Sequence, residues 1–171
     1  VISLDKDMTT VQVYEETSGL RPGETVESTG GAVSVTLAPG ILNNIFDGIE
    51  RPLERIADDG GAFITRGVSV DSLDMDRLWE THLTVAEGES VHGGTVIAEV
   101  QETPAILHKC MVPPDVEGTV VSVVPDGDYR IQDVLVVLEL SDGSQKELTM
   151  MQRWPIRVPR PVSHRFPATV P

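Results

Sequence analysis

The sequence holds a single cysteine, Cys110, so no intrachain disulfide can form and stability must come from the core. One unpaired thiol also fits a reducing, intracellular setting. There is no Cys-x-x-Cys pair, and His82, His92, His108 and His164 stand at no ligand spacing such as His-x-x-x-His, which argues against zinc. Basic residues are scarce: 13 Lys and Arg against 27 Asp and Glu, a net charge of −14. Nucleic acid and anionic membrane both recruit lysine and arginine, so neither is expected as a partner. No apolar run approaches the roughly 20 residues that span a bilayer, so no membrane insertion is expected, and the first residues do not form a signal peptide. The chain opens Val1-Ile2-Ser3-Leu4 without an initiator methionine, as a chain cut within a strand would start.

Recognisable catalytic chemistry is missing as well. Gly60-Gly61 and Gly93-Gly94 are not followed by Gly-Lys-Ser/Thr, and neither pair opens a helix after a strand, so no phosphate cradle is expected. No nucleophile elbow is present. Asp71-Ser72-Leu73-Asp74-Met75-Asp76 is the densest carboxylate cluster. A calcium loop would need glycine at its sixth position and glutamate at its twelfth; here they are Asp76 and His82. The cluster reads instead as a capped turn, with Ser72 or Asp74 accepting from helix amides ahead of Met75-Asp76-Arg77-Leu78-Trp79. In His108-Lys109-Cys110 a neighbouring cation could activate the thiol. On an alternating strand, however, Lys109 faces away from Cys110, and a structural cysteine is expected. No catalytic, cofactor-binding or metal-ligating residue is assigned in this chain.

What is present is β patterning. Val11 and Val13 alternate with Thr10, Gln12 and Tyr14, and Val33, Val35 and Leu37 alternate with Ala32, Ser34 and Thr36. Ser18-Gly19-Leu20-Arg21-Pro22-Gly23 supplies the turn chemistry between them. The expectation is short antiparallel strands of a small barrel whose first strands are missing. From Gly40 the period changes: Ile41, Leu42, Ile45 and Ile49 fall at helical spacing, and Pro52 stands where a second helix would begin, carrying Leu53 and Ile56. Beyond it, Thr95–Val100, Gly118–Val123 and Val134–Leu140 read as strands, with turn signals at Asp126-Gly127 and Asp142-Gly143. The expected fold is mainly β: a partial N-terminal β-barrel over residues 1–39, a helical linker over 40–61, an all-β barrel-sandwich-like domain over 62–153, and an extended proline-rich exit over 154–171.

The third of these units repeats a "turn, strand, Gly, strand" form, once over Val85–Val100 and again from Val116 to Leu138. Its pattern resembles the interlocked halves of biotinyl/lipoyl carrier domains. In such domains an acidic-threonine strand end enters a tight hairpin with the modified lysine at its tip. Glu102-Thr103 and Pro113 bracket the equivalent stretch, but the lysine slot holds Ala105, and Lys109 lies four residues later on a strand. Without an amine at the tip, no amide to biotin or lipoate can form. A free-standing carrier or adaptor domain stands as the alternative reading.

Trp79 and Trp154 are the bulky residues of a chain with few aromatics. Trp154-Pro155, followed by Arg157, Arg160 and Arg165, makes a local basic patch. It reads either as an anchored strand with solvated arginines or as a docking strip for another domain or subunit.

Several stretches, in order, resemble the catalytic A subunit of the A/V-type rotary ATPases: Val11–Leu20, Leu37-Ala38-Pro39-Gly40-Ile41-Leu42 continuing to Leu53, Phe63–Val68, Met111-Val112-Pro113-Pro114-Asp115-Val116-Glu117-Gly118-Thr119-Val120, and Gln152-Arg153-Trp154-Pro155-Ile156-Arg157. The resemblance covers essentially the whole chain. It implies a fragment of a subunit that makes or hydrolyses ATP, with magnesium, in a hexamer of alternating A and B subunits coupled to proton or sodium transport. It implies that residues 62–153 are the family's non-homologous, or bulge, region, in contact with peripheral-stalk subunits. The setting implied is cytoplasmic, peripheral to the membrane. In that family the phosphate-binding loop lies downstream of the tryptophan-proline segment, so no nucleotide residue carries over to residues 1–171.

Overall fold

The computed structural model describes residues 1–14, 16–28, 30–61, 67 and 70–162. The Phe63–Val68 stretch, apart from Gly67, lies outside the described residues, as do His164 and Arg165.

The front of the chain forms one hairpin, β1 (Ser3–Asp5) with β2 (Met8–Thr10), in the register Ser3↔Thr10 to Asp5↔Met8. The strand expected around Val11–Val13 does not form. Both valines are 52% exposed. The turn chemistry does hold: Gly19 and Gly23 take φ of 93° and 94°. Strand β3 (Ser34–Leu37) follows.

The helical spacing from Ile41 to Ile49 is not a helix, which corrects the first half of the expected linker. Asn43 and Glu50 adopt φ of 67° and 64°, conformations that a right-handed helix excludes. The polar side chains decide this. The Asp47 carboxylate accepts from the amides of Ile49 (3.0 Å) and Arg51 (2.9 Å) and from Arg51 Nε (2.7 Å), while Asn44 Nδ2 donates to the Gly40 carbonyl (2.5 Å). Such local bonds compete with the helical ladder. A bridge between Phe46 and Pro52 closes the loop. The helix begins only after Pro52: α1 (Leu53–Gly60) turns Ile56 inward to 3% exposure.

The rest is a sandwich of two four-stranded sheets. The strands are β4 (Trp79–Leu83), β5 (Ser90–Val91), β6 (Val96–Thr103), β7 (Ile106–Met111), β8 (Gly118–Val123), β9 (Gly127–Tyr129), β10 (Val136–Glu139) and β11 (Gln145–Leu148). One sheet has the order β11-β10-β8-β5 and the other β7-β6-β4-β9. Alternation places Val136 and Leu138 of β10 inside, while register shifts in β6 let the adjacent Ile97 and Ala98 both be buried. Ile97, Val100, Val120, Ile131, Leu135, Val136 and Leu138 are fully enclosed. The chain is thus mainly β as expected, with open strand orders among the described residues.

The two turn signals part company here. Asp142-Gly143 closes the β10–β11 hairpin, with Gly143 at φ 80°. Asp126-Gly127 instead carries the chain from β8 in one sheet to β9 in the other, and the Asp126 carboxylate accepts from the Leu83 amide at 2.8 Å. The helix expected at Met75–Trp79 is absent. Asp74 does accept from the Asp76 and Arg77 amides (3.0 and 3.2 Å), but the turn feeds strand β4.

Strand β12 (Gln152–Pro155) leaves the sandwich and pairs antiparallel with β3, from Gln152↔Leu37 to Pro155↔Ser34. The proline is tolerated because it ends a pair of only two strands, where its missing N–H interrupts no ladder.

Candidate functional site

The carrier geometry forms and its chemistry does not. Pro104 and Ala105 are the two-residue tip of the β6–β7 hairpin, where a carrier lysine would stand. Lys109 sits in β7 opposite Glu99 and is exposed, whereas Cys110 is 3% exposed. Burial, assisted by the nearby Glu102 charge, pushes the Cys110 thiol up to about 12, so it is not a thiolate nucleophile at neutral pH.

The other candidates disperse. His82 meets Asp126 at 3.3 Å on the surface, and His92 bonds within its own turn to Thr95 (3.2 Å). Among the described residues no three His, Cys, Asp or Glu side chains are arranged to hold a metal ion. Gly60-Gly61 ends α1 rather than opening it, and Gly93-Gly94 forms a turn between strands. The start of α1 carries Pro52, whose nitrogen has no hydrogen, and the acidic Glu54 in its first turn. These residues do not fit a nucleotide phosphate, which needs free amides and positive charge. At the exit, Arg160 folds over the Trp154 ring at 4.7 Å and donates to Gln152 Oε1 (3.3 Å), while Trp154 Nε1 donates to the Val158 carbonyl (2.6 Å). The tryptophan strip is therefore an anchored strand, and Arg160 is engaged locally.

The most constructed polar site was not legible as one. Glu102, near the end of β6, has a side chain only 4% exposed. Its Oε1 accepts from the backbone amides of Gly40 (2.7 Å) and Leu42 (3.0 Å), and its Oε2 meets His108 Nδ1 at 3.1 Å. Burial by itself would raise the carboxyl. The two amide bonds and His108 outweigh it, and the net direction is below the ordinary glutamate value. The passage it grips, Ala38–Leu42, packs on its other side against Trp79: a Cβ on Gly40 would meet Trp79 Cζ2 at 3.4 Å. Arg77 stacks on the same ring at 3.8 Å. Among the described residues the buried Trp79 indole N–H has no hydrogen-bond partner, so the ring contributes through packing and its stacking with Arg77. Sequence offered one clue, the acidic residue before the hairpin, but its partners lie 60 and 62 positions away.

This architecture, a strand-paired front and a sandwich with Ala105 at a hairpin tip, has known relatives. Residues 70–157 match the ATPsynthase alpha/beta subunit barrel-sandwich domain, and residues 1–30 match the beta-barrel domain of the ATP synthase alpha/beta family. The chain belongs to the ATP synthase alpha/beta family. Within it, the A subunit of the A-type ATP synthase of Methanopyrus kandleri is 48% identical over 97% of this chain and 28% of its own length. The V-type ATP synthase alpha chain of Halothermothrix orenii is 47% identical over 100% of this chain and 29% of its own. The A subunit of the A-type ATP synthase of Desulfurococcus sp. (strain SY) is 45% identical over 100% and 29% respectively. The chain spans under a third of the length of these curated relatives. The similarity to ATP synthase A subunits bears out the expected family, and the carrier alternative finds no support. No helix among the described residues is long and apolar enough to cross a membrane.

Proposed function

We propose that residues 1–171 are a scaffold and docking region of an A-type ATP synthase catalytic subunit, without a nucleotide site of their own. The observation that carries this is the end-to-end similarity to A subunits in a sequence with no Gly-x-x-x-x-Gly-Lys motif. In this reading the whole protein makes or hydrolyses ATP, with magnesium, in a hexamer with B subunits, coupled to ion transport. Its ATP and magnesium are held outside these residues. The front hairpin contributes to the assembly of the hexamer, and residues 62–153 meet peripheral-stalk subunits. The setting is cytoplasmic and peripheral to the membrane.

Trp154 tests the scaffold role. It seats β12 against β3 and holds Val158 and Arg160. In the full-length subunit, Trp154→Ala is expected to lower the yield of assembled A–B hexamer by about tenfold, equivalent to about 1.4 kcal/mol. ATPase turnover per assembled hexamer should stay within about twofold, a difference of only a few tenths of a kcal/mol. Full assembly with turnover lost would instead place this strand in the catalytic machinery and overturn the reading.

A further inference from the structure

The two strands of the β3–β12 pair meet the sandwich at the same end. Leu37, the last residue of β3, pairs with Gln152, the first residue of β12. At that end β12 is continuous with Met150, which is 2% exposed in the sandwich core, so one strand is anchored by the chain itself. The other strand runs into the Ala38–Leu42 passage. The pair is thus held to the sandwich at this end, where Gln152 Nε2 also donates to the Met111 carbonyl, and its orientation depends on how the second strand is fixed.

Beside the buried Pro39, the packing of Ile41 on the core and the Asn44 bond to the Gly40 carbonyl, three contacts fix the passage. Ala38 is fully buried in the sandwich core, Gly40 lies against Trp79, and the Glu102 carboxylate takes the Gly40 and Leu42 amides. The first two are packing contacts that tolerate small slides. The third is directional: two amides converge on one buried carboxylate oxygen, and the other oxygen is braced by His108 from β7. Hydrogen bonds to a charged acceptor are the strong ones, and a buried carboxylate that lost them would be left uncompensated.

We propose that Glu102 is a latch that fixes the Ala38–Leu42 passage to the sandwich and thereby sets the orientation of the β3–β12 pair. Glu102 is a positioning residue: it acts through the backbone it holds. The titratable groups placed against it are His108 and Cys110, both on β7, while the passage contributes backbone amides only. Because the carboxyl is held below its ordinary value of 4.5, its stabilising effect is fully present above that value. It is lost as pH falls through the lower, folded-state value. The latch therefore stays closed throughout the neutral range and opens on displacement or as pH falls below the ordinary glutamate value.

The test uses the full chain and combines amide NMR with spin-label distances. In the wild type, the Gly40 and Leu42 amide signals should titrate together, with one midpoint below the ordinary glutamate value. Glu102→Ala should raise their hydrogen exchange about ten- to hundredfold, as expected on losing bonds to a charged acceptor. It should also broaden the distance distribution between labels at the exposed Val121 and Ile156, while β6, β8 and β10 keep their protection. Glu102→Gln, which keeps an acceptor oxygen, should fall between and abolish the titration. If Glu102→Ala fails to fold, the wild-type titration and the Gln variant decide the matter. Two results overturn the proposal: Gly40 and Leu42 amides that neither titrate nor lose protection, or loss of protection throughout the sandwich, which would make Glu102 part of the fold's general stability.

Discussion

Gly93→Ala is expected to destabilise the sandwich by about 3 kcal/mol or more, one of the largest effects of any single methyl group in this chain. A Cβ at this position would lie 2.2 Å from the Pro114 carbonyl oxygen, 2.7 Å from its carbon and 2.8 Å from its Cα. No real Cβ sits that close to backbone, and Pro113-Pro114 is a stiff segment that cannot yield without moving the β7–β8 connection. The adjacent Gly94 amide is tied to Val112 (3.0 Å), so the turn cannot slide away either. Thermal or urea unfolding measures the effect, and in a chain of this size roughly 6–12 °C of midpoint should be lost. Gly48→Ala is the matched control: its added carbon meets nothing within 4 Å and its φ is not positive, so a change within about 0.5 kcal/mol is expected. Equal midpoints for the two variants would mean that the close approach of the turn to Pro114 is absent in solution.

Leu138→Ala should destabilise the same sandwich by about 2–5 kcal/mol. Leu138 is fully enclosed on β10, the strand that joins β8 and β11, and it shares one core with Ile97 on the facing sheet. Truncation removes the transfer energy of its methyl groups and leaves a cavity walled by two sheets that cannot both collapse. Val121→Ala on the exposed face of β8 should stay within about 0.5 kcal/mol. Chemical unfolding monitored by Trp79, which is 4% exposed in the same core, reads both variants. A loss below about 1 kcal/mol for Leu138→Ala would show that the two sheets do not share a tightly packed core.

The parts of this fold that alternation governs can be read from the chain. Strand β8 occupies the residues expected of it, β6 and β10 lie within a few positions of the alternating stretches, and Ala105 stands at the tip of a tight hairpin. Those features depend on a residue and its near neighbours. Most failures depend on polar side chains choosing backbone partners; Val11–Val13 is the exception, where alternation is present and no strand forms. Ile41, Leu42, Ile45 and Ile49 have helical spacing, but Asp47 and Asn44 hold the backbone in turns, and burial of Ile41 and Phe46 against the sandwich does the rest. Asp74 caps a turn as expected, yet pairing of Trp79 with Tyr129 draws the next residues into a strand. Asp126-Gly127 is a turn whose exit is chosen by β9 pairing with β4, not by the dipeptide. Glu102 is the clearest case: its role is written in two amides 60 and 62 residues upstream, and an amide carries no side-chain signature. The amine missing at Ala105 is legible in the sequence, whereas the contacts that Glu102 makes are not.

If this stretch of an ATP synthase family chain scaffolds its parent protein and holds no nucleotide, the 171-residue chain should be silent toward Mg-ATP. Isothermal titration is the most direct test. No binding heat beyond dilution is expected up to millimolar nucleotide, which sets any binding free energy weaker than about −4 kcal/mol. A saturable isotherm with micromolar affinity would contradict the scaffold reading.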